Sequence, residues 1–214
     1  GILPESARFA TVIMPVSNQF DDGKAVWDSH EKSKNGISLI VPQGSFMVEM
    51  GQELKNQWQK AGISVLVQEE AKADYYESLS SGDHPLFLAH YHMITDDPDD
   101  LLFRKFYSLN EGLGGNWTFT KNPEIDQVLL RGRQVLAPEE REGLYRQLQE
   151  TLSFKMPWLF IWEDLGSVGV GQDVQGFSPQ ASGYHLFQYM SVEGMEKEIQ
   201  DGIKDLIEES AAGQ

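Results

Sequence analysis

Cysteine is absent from all 214 residues. Disulfide frameworks, thiolate metal sites and cysteine nucleophiles are therefore excluded, while an oxidising compartment stays open. Cations are scarce too: 17 Lys and Arg stand against 33 Asp and Glu, for a formal charge of −16. Binding to nucleic acid or anionic membrane draws its affinity from basic side chains set against phosphate, so this balance argues against both. No run approaches the roughly 18 apolar residues of a membrane span. No secretory leader is visible either. The chain opens in mid-pattern at Gly1-Ile2-Leu3-Pro4, which reads as a piece of something longer.

What is present is ordinary for a globular α/β protein: 40% hydrophobic and 23% charged residues, and a length that suits one domain or two small ones. Phe9 to Val16 (FATVIMPV) reads as a strand or extended connector that Pro15 confines to an edge. Asp21 to Lys34 is polar, with room for a short helix. ISLIVP, behind Gly36 and ending at Pro42, reads as a buried strand. Residues 44–61 predict a helix with Met47, Met50, Leu54, Trp58 and Ala61 on one face and Gly62 as its left-handed terminator. ISVLVQEE follows as a second strand, so strand, helix and strand suggest a βαβ unit. A helix is expected from Ala71 to Ser81, ending at Gly82, and PLFLAHYHM reads as a third strand.

Asp96-Asp97-Pro98-Asp99-Asp100 marks a turn before a short helix over Leu101 to Tyr107. Asn122 is a good N-cap with Pro123 in the first helical position, and Ile125, Val128, Leu129, Val135 and Leu136 form one apolar stripe. A further helix from Pro138 turns Leu144, Tyr145, Leu148 and Leu152 to a core. WLFIWED and SVGVG read as strands. Met195, Ile199, Ile203, Leu206 and Ile207 fall on one face of an acidic terminal helix, either docked on its own domain or leading to a partner.

Few groups offer chemistry. His90 and His92 are two residues apart and share a strand face; with Asp96 or Asp97 they offer nickel or zinc ligands, or hydrogen bonds to a solute. Gly112-Leu113-Gly114-Gly115 lacks the Lys-Ser/Thr and the preceding strand of a phosphate loop. Adjacent acids such as Glu69-Glu70 point apart, unlike an acid–base pair, and no serine sits in a G-x-S-x-G elbow. No catalytic constellation emerges, and no cofactor is implied. Trp58, Trp158 and Trp162 read as packing residues.

Four segments carry a resemblance. AGISVLV is similar to a "GI-x-V" strand after a long helix; Tyr91 to Pro98 leading into LLFRKFYS resembles W-x-x-D-x-x-D-P and a helix ending in Ser. GGNWTFTKNPEIDQVL resembles Gly-Asn followed by Asn-Pro-Glu-x-Asp, and PEEREGLYRQLQETLSFKMPWLFIW resembles an E-R-x-x-L-Y helix, a Pro and a strand, with DVQGF after it. In this order they resemble the C-terminal lobe of the oligopeptide/dipeptide/nickel solute-binding family that serves ABC importers, over residues 37 to about 185.

The resemblance implies an α/β fold with a mixed sheet flanked by helices, one lobe of a two-lobed, type II periplasmic-binding-protein-like receptor. Residues 1–36 would be an inter-lobe connector, 37–191 the ligand-binding lobe and 192–214 an acidic helical tail. It implies capture of a solute, with peptides the leading class, by lobe closure without catalysis. The partners implied are the ligand, a missing N-terminal lobe and a membrane permease, with no nucleic acid. The location implied is periplasmic or extracytoplasmic, membrane-anchored in the full-length protein. Tyr91 stands where the family carries a ligand-side Trp, and Asn116 and Trp117 lie in a cleft-lining loop; with His92 these are the expected ligand contacts. Ile94 departs from the family's ammonium-binding Asp, for which Asp96 or Asp97 would have to substitute. A ligand-sensing module of a regulator and a hydrolase are the alternatives from other classes.

Overall fold

The computed structural model describes residues 2, 3, 5, 7–11, 20–29, 35–163, 167–179, 187–194 and 204. The chain comprises two compact units, residues 1–161 and 162–214. A helix, α1 (Phe20–Ser29), precedes the sheet of the first unit. β1 (Ile37–Pro42), α2 (Met47–Lys60) and β2 (Val65–Glu70) form the expected strand–helix–strand, with β1 and β2 parallel from Ile37↔Val65 to Pro42↔Glu70. α3 (Lys72–Ser81) and a two-residue β3 (Leu86–Phe87) complete a three-stranded parallel sheet in the order β2-β1-β3. Gly62 and Gly82 take positive φ just beyond their helices, where L side chains would be strained.

Successive side chains of a strand face opposite sides. Leu39 and Val41 accordingly pack on α2 residues such as Leu54, while Ile40 meets Tyr75 and Leu79 of α3. Burial on both faces explains why ISLIVP is apolar without alternation.

The third strand is shorter than PLFLAHYHM predicts. Leu88 N still donates to Ile40 O, but in a parallel ladder the next bond would need an N–H from Pro42, which has none. The Tyr75 hydroxyl donates to Leu88 O instead, at 2.8 Å. The chain therefore leaves the sheet after Leu88, and residues 88–93 belong to no strand.

Beyond the sheet, α4 (Pro98–Phe106), α5 (Pro123–Gly132) and α6 (Pro138–Lys155) enclose a second core. Leu102, Phe106, Ile125, Leu129, Tyr145, Leu148 and Leu152 are buried there with Ile2, Leu3 and Ala7. Asn122 caps α5 as expected, accepting from Glu124 N and Ile125 N. The stripe stops earlier than predicted: α5 ends at Gly132, Val135 is half-buried, and Leu136 is 94% exposed. A Cβ on Gly132 would lie 3.1 Å from the Tyr145 ring, so the helices converge here and the chain must turn outward before Pro138.

Residues 158–163 and 167–171 are not strands, contrary to the reading of WLFIWED and SVGVG. Apolar runs become strands only beside a neighbour with free backbone groups, and among the described residues none flanks them. Phe9 to Thr11 is likewise not strand, and the rest of FATVIMPV, residues 12–16, lies outside the described residues. In the second unit β4 (Val174–Gln175) pairs antiparallel with β5 (Ser191–Val192). The apolar face expected over Met195 to Ile207 lies outside the described residues.

Leu148 is fully buried and Leu136 almost fully exposed. Leu148→Ala is expected to lower unfolding free energy by about 2–5 kcal/mol, and Leu136→Ala to change it by less than about 0.5 kcal/mol. Urea denaturation of both variants checks the contrast.

Candidate functional site

The segment that leaves the sheet is held by the acidic turn behind it, which is far from idle. Asp97 caps α4 by accepting from Asp99 N at 2.9 Å and takes a bidentate pair from Arg141 of α6, both contacts 2.8 Å. Despite the cost of burial, the bonds from Arg141 and Asp99 N hold its carboxyl below the usual carboxylate range. Asp100 accepts from Ile94 N and Thr95 N and pairs with Arg104. Asp99 accepts from the Tyr145 hydroxyl and meets Arg133. Asp97 is thus committed to structure and is not free to replace a ligand-binding Asp at Ile94. Ile94 itself is exposed.

Ahead of this turn an aromatic box forms. Tyr91 stacks on Trp158 at 5.0 Å with planes 10° apart, and lies 5.5 Å from Trp117. Phe106 closes on Trp158 at 4.8 Å. Lys105, in the last turn of α4, is only 5% exposed; its Nζ sits 3.9 Å from the Tyr91 ring centre and 4.2 Å from that of Trp117. Cation–π contact offsets part of the cost of burying an ammonium group. Burial, helped by the like charge of Arg104, still lowers its pKa from 10.5 to about 8. The Tyr91 hydroxyl and the Trp158 Nε1–H are buried without a partner among the described residues.

Asn116 organises the loop beneath the box. It is fully buried; its amide donates to Tyr107 O and Thr120 O, and its oxygen accepts from Thr118 Oγ1 and Thr120 N. All its hydrogen-bonding capacity is therefore spent on the loop, so in this structure it positions Trp117 instead of facing a solute. Gly112, at φ 65°, allows the close approach that folds this loop on α3, since a Cβ there would lie 2.6 Å from Ser80 O. His84 anchors the other side, its ring nitrogens 2.9 Å from Ser78 O and 3.2 Å from Trp117 O.

His92 is exposed, with its ring centre 4.5 Å from that of His90, so the two do come together although they lie beyond the strand. Among the described residues no group of three or more His, Asp or Glu is arranged to hold a metal ion. A pocket of about 440 Å³ opens elsewhere, lined by Arg8, Asp97, Asp99, Arg133 and Arg141 among others, but by none of Tyr91, His92, Asn116 or Trp117. Its Asp97–Arg141 and Asp99–Arg133 charges neutralise one another.

Lys105 and Trp158 escaped the sequence reading. A lysine among apolar residues in LLFRKFYS was the available signal, since lysine is rarely buried without a reason. Trp158 packs as expected, but against the site.

No family model matches the chain. Curated relatives include a probable di/tripeptide-binding protein 5 of Pseudomonas aeruginosa, 24% identical over 72% of this chain and 29% of that protein. Heme-binding protein A of Haemophilus influenzae is 26% identical over 68% and 26%, and the probable D,D-dipeptide-binding periplasmic protein DdpA of Escherichia coli 21% over 83% and 35%. Among solved structures, the periplasmic binding protein DppA of Helicobacter pylori in complex with peptide STSA superposes with a TM-score of 0.63 at 19% identity, over 72% of this chain and 31% of that one. The unliganded, open murein tripeptide-binding protein MppA gives 0.62 at 17%, over 72% and 31%. The chain spans about a third of the length of these relatives. The family resemblance carried by the four motifs is therefore sustained, and the fold is that of these periplasmic binding proteins.

Between about pH 8 and 10.5 an unfolded chain keeps the Lys105 proton that the folded one has released. Stability should therefore rise with pH across that window relative to Lys105→Met, by a few kcal/mol at most. Comparing the two proteins by urea denaturation between pH 7.5 and 9.5 checks this, below the range near 10 where tyrosines titrate.

Proposed function

We propose that this chain is the ligand-binding C-terminal lobe of an extracytoplasmic receptor that captures peptides for an ABC-type importer. Residues 37–191 form the lobe, 1–36 a connector and 192–214 a tail. A second lobe supplies the rest of the cleft, a membrane permease reads the closed form, and the full-length protein is membrane-anchored. The observation that carries the reading is the aromatic box beyond the sheet, in a chain several of whose relatives are named for di- or tripeptides. Tyr91 and Trp117 are the aromatic groups that meet the solute, the exposed His92 offers a ring nitrogen, and Asn116 holds Trp117 in place.

Nothing in this reading requires bond chemistry. The affinity comes from burying the solute between two lobes, and the signal is the change of shape on closure. Half the contacts belong to the second lobe, so the isolated 214-residue chain binds weakly.

The test is thermal denaturation of the full-length protein with tri-alanine and other small peptides, sugars or nickel. A peptide near 100 times its dissociation constant should add about 2.7 kcal/mol, and Trp117→Ala should remove most of that gain. Stabilisation by sugars or nickel alone would refute peptide capture, and tight peptide binding by residues 1–214 alone would refute the half-receptor.

A further inference from the structure

Three of the cations around the acidic turn have an acid opposite them, Arg104 with Asp100, Arg133 with Asp99 and Arg141 with Asp97, while Arg8 lies over the Phe9 ring. Lys105 differs from all of these. It is the most deeply buried of these cations, yet its contacts are the faces of Tyr91 and Trp117 and it forms no ion pair among the described residues. Two further donors share the cluster without an acceptor, the Tyr91 hydroxyl and the Trp158 Nε1–H. Tyr91 touches both Lys105 and Trp158, so the three donors belong to one box.

Ring faces attract a cation but accept little in the way of hydrogen bonds, and an ammonium group carries three N–H donors. A buried donor left unmade is costly. A compact acceptor with negative charge is the kind of partner that an ammonium group, a hydroxyl and an indole N–H have in common. The neighbouring carboxylates do not supply one, because Asp97, Asp99 and Asp100 are each engaged elsewhere. Gly115 lines the loop side, where a Cβ would come within 3.4 Å of Lys105 Nζ, so the chain keeps bulk away from the ammonium group.

We propose that the box of Tyr91, Lys105, Trp117 and Trp158 is a carboxylate subsite, so that the captured solute presents a carboxylate here and not an ammonium group. The proposal deepens the receptor reading and rests on it for the identity of the solute, while the anion preference stands on the box itself. Lys105 supplies the charge, the Tyr91 hydroxyl and the Trp158 N–H fix the direction of approach, and Trp117 covers the alkyl part next to the carboxylate.

The experiment measures binding of tri-alanine, tri-alanine amide and N-acetyl-tri-alanine to the full-length protein by calorimetry. The free acid should bind at least about tenfold more tightly than the amide, the loss expected for a charged hydrogen-bond partner. Lys105→Met should bring acid and amide within about twofold of each other, while Lys105→Arg keeps a preference for the acid. Tyr91→Phe, which removes only the hydroxyl, should narrow the preference even if Lys105→Met folds poorly by circular dichroism. Equal binding of acid and amide, or a preference that survives in both Lys105→Met and Tyr91→Phe, overturns the subsite and leaves peptide capture intact. If no peptide binds, tryptophan fluorescence is titrated with sodium propionate at constant ionic strength. A response in the wild type that Lys105→Met or Tyr91→Phe weakens upholds the subsite while peptide capture fails, and the absence of such a response overturns the subsite as well.

Discussion

The bidentate pair between Asp97 and Arg141 fixes the geometry on which the site depends. One carboxylate caps α4, meets the guanidinium of α6 and sits at the end of the segment that carries Tyr91. Arg141 Nε also donates to Gly132 O at the end of α5, so a single side chain joins the three helices of the second core. Such a partly buried, two-pronged pair is worth more than an exposed one because its direction is set as well as its distance. With α4 held, Lys105 in its last turn is held too, and the rings of Tyr91 and Trp117 have a fixed partner.

A second constraint comes from a missing hydrogen. Pro42 ends the ladder between β1 and β3, and the Tyr75 hydroxyl takes the carbonyl left over. The sheet therefore stops where the site begins, and the residues that follow are free of strand geometry. Binding groups sit at the ends of strands in many open α/β proteins. Here the release is built from one imino acid and one phenol.

Local signals in the sequence determined most of the frame. The periodicity of α2 and α6, the Asn122-Pro123 cap and the glycines after α2 and α3 each act over a few residues, so they could be read directly. Features that depend on a distant partner were not legible. WLFIWED has strand composition but no strand beside it, and Leu136 continues a stripe whose core has already ended. At the site, Tyr91, Asn116 and Trp117 were reached through motifs, yet the saturation of the Asn116 amide and the burial of Lys105 depend on how α4 and the 110–121 loop meet. The bracing role of the acidic turn was not legible, because nothing nearby in sequence announces Arg141, 44 positions away.

Longer separations still govern the start of the chain. The buried amide of Gln149 accepts from Thr11 N and donates to Phe9 O, across 138 and 140 residues, and Ile2 and Leu3 lie in the same core. Closing a loop of that size costs entropy that local contacts do not. The helical core therefore cannot close until α6 is made, because Phe9 and Thr11 gain their side-chain partner only with Gln149. The β1–α2–β2 unit, whose contacts are near in sequence, forms meanwhile. The entropy of closing this core is thus borne by contacts between residues 2–11 and α6, whereas the sheet unit closes on neighbours near in sequence.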